Sequence, residues 1–193
     1  MKNILLLLII SCSAIYAKET ATYDMILWGD KVGKMIVTHD VAADGTETYY
    51  METHSRAKVL WIDKDVSTWL TSIYKNGKLV SSVDKEIENG KITRWTNVKF
   101  NGNSYSVEGS GGKRTFTEAP VFSILTLYFK PVAGITRIFH EGEGTFCELK
   151  NTEPGTYEFK GEDARNVYHY VNGRLTNMEF HVSIATVKAV RTS

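Results

Sequence analysis

From residue 18 onward, apolar and polar positions alternate with a period of two. Met35, Val37, His39 and Val41 alternate with Ile36, Thr38 and Asp40, and Tyr49, Met51 and Thr53 with Tyr50, Glu52 and His54. Ile92, Arg94, Thr96, Val98 and Phe100 alternate with Thr93, Trp95, Asn97 and Lys99. In the last run, Met178, Phe180, Val182 and Ile184 form an apolar row against Asn177, Glu179, His181 and Ser183. Successive strand side chains point to opposite faces, so these runs predict strands with one face buried. Turn dipeptides punctuate them: Asp44-Gly45, Asn76-Gly77, Asn89-Gly90, Asn101-Gly102 and Asn172-Gly173. Such pairs accept the positive φ angles that tight hairpins require. Ser110-Gly111-Gly112 and Glu153-Pro154-Gly155 read as further tips, and Gly29 and Gly33 bracket a turn at Asp30-Lys31-Val32. The pattern predicts a mostly β protein, an antiparallel meander of roughly ten to twelve strands. Such a sheet rolls into a half-open or closed barrel-like form to avoid naked edges.

One segment departs from this period. Between Pro120 and Pro131, Val121, Phe122, Ile124, Leu125, Leu127, Tyr128 and Phe129 are apolar on nearly every face. Pro120 suits a first helical turn and Pro131 ends it, which predicts one short buried helix near 119–130. Such an element plugs the open side or end of a curved sheet, or closes over a hydrophobic ligand.

The first residues read as an address. Met1-Lys2-Asn3 precedes an unbroken apolar run, Ile4 to Ile10, and then Ser11, Cys12, Ser13, Ala14 and Ala17. That order is a secretory signal peptide, cleaved after Ala17, and the run is shorter than the roughly 20 apolar residues that span a bilayer. The expectation is a signal peptide over 1–17 and a single antiparallel domain over 18–193, exported to the periplasm or outer envelope. The alternative is a lipobox, Ile9-Ile10-Ser11-Cys12, with the chain lipid-anchored through Cys12.

Composition narrows the partners. The 193 residues carry a formal charge of +1, which falls to zero once Lys2 is removed. No basic field exists to hold a nucleic acid. Of 2 cysteines only Cys147 survives cleavage, so no internal disulfide forms and Cys147 reads as a core thiol. The 5 histidines include no His-x-His and no helical pair, so no metal site is read from them. An uninterrupted hairpin at Asn172-Gly173 sets His169 opposite Thr176 and leaves His181 beyond its partner's end. Ser110-Gly111-Gly112-Lys113 fails the six-residue frame of a phosphate loop, and no cofactor is indicated. The most concentrated polar cluster is His140-Glu141-Gly142-Glu143-Gly144, read as a solvated loop or, in a sharper reading, an acid–base pair. The 4 tryptophans, Trp28, Trp61, Trp69 and Trp95, fill a core or line a ligand cavity, with His54 and Arg94 as orienting polar groups.

The opening hairpin Tyr23-Asp-Met-Ile-Leu-Trp-Gly-Asp-Lys-Val-Gly-Lys-Met-Ile-Val37, the apolar mid-chain segment and the close around Asn172-Gly173-Arg174 resemble the exported β-sheet families of unknown function in bacteria with two membranes. The resemblance covers nearly all of the mature chain. It implies an antiparallel, half-rolled or barrel-like sheet around one helix, and it implies no activity. The architecture is similar in shape to envelope lipid and lipoprotein carriers and to lipocalins, which licenses no function by itself.

With no catalytic set in the sequence, the reading is a non-enzymatic exported binding protein for an apolar or amphipathic ligand, such as a lipid, or for an envelope protein partner. Two alternatives differ in class: an envelope hydrolase using the His140–Glu143 region or Cys147, and a structural or assembly accessory without a cavity.

Overall fold

The computed structural model describes residues 18–59, 61–161, 164–182 and 185–193. The expected signal peptide and Cys12 lie outside the described residues, as does Ile184. Fifteen strands are present among the described residues: β1 Glu19–Leu27, β2 Asp30–Val41, β3 Glu47–Val59, β4 Ile62–Lys75, β5 Lys78–Glu88, β6 Lys91–Phe100, β7 Tyr105–Gly109, β8 Gly112–Phe116, β9 Arg137–His140, β10 Thr145–Glu148, β11 Lys150–Glu153, β12 Thr156–Lys160, β13 Arg165–Val171, β14 Arg174–Val182 and β15 Ala185–Arg191.

Thirteen of them form one antiparallel sheet in the order β11-β12-β13-β14-β15-β1-β2-β3-β4-β5-β6-β7-β8. Sequence neighbours are sheet neighbours throughout, apart from the β15–β1 pair, which sets the last strand against the first with Tyr23 opposite Arg191. The sheet is the expected meander, and hydrogen bonds do not close it.

The predicted alternation sets the inner face. Met35 and Val37 are buried on β2, Tyr49 on β3, Thr96 and Val98 on β6, and Met178 on β14. Ile92 falls outside this phase and is exposed, because the register shift at Glu86/Ile87 leaves Thr93 as an extra residue between Ile92 and Arg94. Three hairpins turn on the predicted Asn-Gly pairs, with Asn76, Asn89 and Asn172 at φ of 52°, 50° and 53°. The first hairpin turns elsewhere than predicted: Asp30-Lys31-Val32 lies within β2, and the turn is Trp28-Gly29, with φ of 53° and 96°. Bulges also displace the last hairpin. A shift at His169/Tyr170 puts His169 opposite Asn177 and His181 opposite Arg165.

The curl of the sheet is filled by residues 117–149. The expected helix is there a single 3₁₀ turn, Leu125–Tyr128, fully buried. The chain beside it is held by β9 instead of by its own helical ladder: Ile124 N–H donates to the Phe139 carbonyl at 3.1 Å, and Phe139 N–H to that of Phe122 at 2.8 Å. The Tyr128 ring meets Tyr23 of β1 at 5.8 Å and Tyr168 of β13 at 6.3 Å, so the turn touches both arms of the curled sheet. The small β9–β10 sheet packs Phe139 and Phe146 against Phe116 of the edge strand β8, at 5.4 and 5.7 Å. It also sets His140 against Phe159 of β12 at 5.7 Å. This hairpin fills the seam between the two ends of the main sheet.

Candidate functional site

The plug leaves a cavity of about 260 Å³ between itself and the inner face of the sheet. Its apolar wall comes from successive strands: Met25 of β1, Met35 of β2, Met51 of β3 and Leu70 of β4. The register brings these positions together, with Met35 opposite Thr53 and Met51 opposite Leu70. Three of the chain's 5 methionines line this one space. Thioether side chains adapt their shape to irregular apolar surfaces. The Tyr128 hydroxyl reaches the sulfurs of Met35 and Met51 at 3.6 and 3.8 Å. Phe159, Tyr168 and Phe180 close the far side.

The other end of the cavity is charged. Arg94 Nε donates to Asp84 Oδ2 at 3.1 Å, and an Arg94 terminal nitrogen lies 3.3 Å from Glu86. Asp84 is almost wholly buried; that burial raises its pKa while the Arg94 charge opposes the rise. His140 and Glu143 complete this end. Glu143 N–H donates to His140 Nδ1 at 3.2 Å, which leaves Nε2 as the protonated nitrogen facing Glu143 Oε1 at 3.5 Å. The backbone approaches these carboxylates closely: a Cβ on Gly161 would lie 2.4 Å from Glu143 Oε1 and displace it, and one on Gly142 would lie 3.2 Å from Asp84 Oδ2. A second, polar cleft of about 420 Å³ adjoins the first and shares Glu86, Arg94, Gly142 and Glu143 with it.

Glu141, between His140 and Gly142, has a different task. It is fully buried, and its Oε1 accepts from Ser72 Oγ at 3.1 Å and from Leu125 N–H at 3.3 Å, while Oε2 accepts from Ile124 N–H at 3.0 Å. It therefore caps the 3₁₀ turn from a distance in sequence, taking the Leu125 N–H and sharing that of Ile124 with the Phe139 carbonyl. Burial pushes its pKa up to about 7, opposed by hydrogen bonds that include those from Leu125 and Ser72. Cys147 is buried on β10 opposite Ile138.

The structure separates the six residues expected to bind a ligand. Arg94 lines the cavity. Trp69 and His54 share a shallow groove on the outer face with Lys34, Ile36 and Glu52. Trp95 lies on that outer face two strands from Trp69, with Lys85 paired to both. Trp28 and Trp61 stand on hairpin tips. None of the four indoles lines the cavity or fills the core. Sequence reading missed Met25, Met35, Met51, Asp84, Glu86 and Tyr128. The phase of the alternation was the available signal, since it already set Met35 and Met51 on buried faces. Among the described residues, no three His, Cys, Asp or Glu side chains group as a metal site. Among them, too, no helix is long and apolar enough to cross a membrane.

The chain matches a known family model over residues 23–192, a domain of unknown function (DUF6134). The chain belongs to this family. Its backbone is also similar to a beta-barrel-like protein of domain of unknown function DUF1849 from Brucella abortus, with a TM-score of 0.59 and 13% identity, covering 90% of this chain and 95% of that one. At that identity the likeness concerns the fold alone. No curated protein sequence matches the chain.

Proposed function

We propose that this DUF6134 protein is an exported, non-enzymatic binding protein that holds a small amphipathic molecule inside its curled sheet. One observation carries the reading: the cavity is apolar at the Met25–Met35–Met51 wall and charged at the Arg94–Asp84–Glu86 end. Ligand sites are mostly apolar concavities with a few convergent polar groups, which is this arrangement. A volume near 260 Å³ lies just below the usual range of about 300–1,000 Å³, so the occupant is a single short chain or ring system with one polar end. Export rests on the charged, apolar, small-residue order of residues 1–17.

The test is extraction of the purified mature protein with organic solvent, followed by mass spectrometry. Titration with 1-anilinonaphthalene-8-sulfonate, an apolar ring system with one anionic group, accompanies it. A stoichiometric extracted molecule, or saturable one-to-one probe binding, supports the reading. An empty extract together with no saturable binding overturns it. N-terminal sequencing of the exported protein checks the leader, with Lys18 expected as the first residue.

A further inference from the structure

The two most exposed large apolar side chains among the described residues are Trp61, at 89%, and Trp28, at 63%. Both stand on hairpin tips at the same end of the sheet. Leu27 pairs with Asp30 across one tip, Val59 with Ile62 across the other, and Gly33 of β2 lies opposite Ser55 of β3 between them. Ile62 and Ile92, each 57% exposed, belong to this end too, Ile92 just past the Asn89-Gly90 tip. The cavity reaches the same end, where Gly161 and Ala164 of the β12–β13 connection line it. That connection follows Lys160–Arg165, which is in register with His181, Thr186 and so with the Trp28 turn.

Trp28 is also in a costly conformation. Three hairpins of this chain place asparagine before glycine at φ near 50°, whereas the first places tryptophan there at φ 53°. Positive φ is uncommon outside glycine, asparagine and aspartate, and a bulky residue held there is strained. The indole is mostly in solvent, so little burial offsets that cost. Strain kept at an exposed position points to work done outside the fold.

We propose that this end of the sheet docks on the surface of a lipid bilayer, with the Trp28 and Trp61 indoles entering the headgroup region. Indoles concentrate at that depth because one edge is polar and the body apolar. Single indoles on separate tips, rather than a continuous groove, suit a fluid surface better than a shaped protein socket. The charges beside the tips are of both signs: Asp30, Lys31, Lys58, Asp63 and Lys64. The contact is therefore with zwitterionic lipid and changes little with salt. Docking stands on the tips and not on the cavity, so an empty cavity would leave it untouched.

The experiment is co-sedimentation of the mature chain with phosphatidylcholine vesicles. It compares wild type, Trp28→Asn, Trp61→Ser, their double variant, and Trp69→Ser with Trp95→Ser as outer-face controls. Thermal unfolding of each variant checks that it is folded. Wild type partitions onto the vesicles, each tip variant lowers the partition coefficient about tenfold, and the controls match wild type. Absence of wild-type binding overturns the proposal and leaves a protein partner for the tips. So does equal binding by the double variant.

Discussion

Ser72 Oγ donates to Glu141 Oε1 at 3.1 Å, across 69 residues of sequence and with both residues fully excluded from water. This bond ties the plug to β4 in the centre of the sheet and makes Glu141 a pH-sensitive fastening. Its native pKa is about 7, raised from 4.5 by burial. Below about pH 4.5 the native and unfolded states are both protonated there. Between about pH 4.5 and 7 the unfolded chain has lost this proton while the native one keeps it, so stability falls as pH rises through that window. Buried Asp84, also raised, contributes in the same direction. The expected result is a lower Tm at pH 8 than at pH 5.5. In Glu141→Gln that dependence flattens by an amount on the order of 3 kcal/mol. The variant is also less stable at acid pH, because one amide oxygen cannot serve three donors. Thermal melts of both proteins across this range check it.

Arg94 is the sole residue among the six sequence-predicted ligands that faces the cavity, and it also neutralises a buried carboxylate. Replacement by Met leaves Asp84 at 2% exposure without its guanidinium. Breaking a buried pair costs about 3–5 kcal/mol, and the partial exposure of Arg94 favours the lower end. Without the Arg94 charge the Asp84 pKa rises further, so Arg94→Met loses the most stability at high pH and least near pH 5. Urea titrations at pH 5 and pH 8 read this difference. Asp84→Asn combined with Arg94→Met recovers most of the loss.

The strands, most turns and the buried phase were legible because period-two alternation and Asn-Gly pairs act locally. The plug was not. Val121 to Phe129 is apolar all round, which a buried helix and a buried irregular segment share. Pairing of Phe122 and Ile124 with Phe139, and capping by Glu141, decided against a longer helix, and both act over more than ten residues. The Trp28-Gly29 turn was illegible because tryptophan carries no propensity for φ of 53°. The His169/Tyr170 bulge left no signal either, and it moved His169 one step along its partner. The cavity itself depends on which strands lie across the curl, a relation that no local pattern contains.

That turn yields a stability prediction independent of any lipid. Trp28→Asn restores the residue that three other hairpins of this chain use at the same φ. Removing a strained αL residue is worth about 1 kcal/mol. The variant therefore melts higher than wild type by several degrees, whereas Trp61→Ser, which relieves no positive φ, leaves Tm unchanged. Gly29→Ala gives the opposite sign, since alanine at φ 96° is strained even though nothing lies within 4 Å of its Cβ. Differential scanning calorimetry on the three variants orders them.

Thr53 offers a way to block the cavity without touching its charges. It lies on the inner face of β3, opposite Met35 on one side and Thr68 on the other, and lines the space between the methionine wall and the Asp84–Arg94 end. A phenyl ring at this position enters empty volume rather than packed core, so Thr53→Phe costs at most the about 1–3 kcal/mol of an overpacked site. Met35, Met51 and Tyr128 can yield around it, being unbranched thioethers and a ring with its hydroxyl near sulfur. The variant should fold, retain the Glu141 pH dependence, and lose saturable binding of 1-anilinonaphthalene-8-sulfonate by at least about tenfold, since the lost apolar burial equals about 1.4 kcal/mol or more. Val83→Phe, on the exposed outer face of β5, controls for added aromatic surface and binds the probe as wild type does. Equal probe binding by Thr53→Phe and wild type would place the bound molecule elsewhere on the protein and remove the cavity from its function.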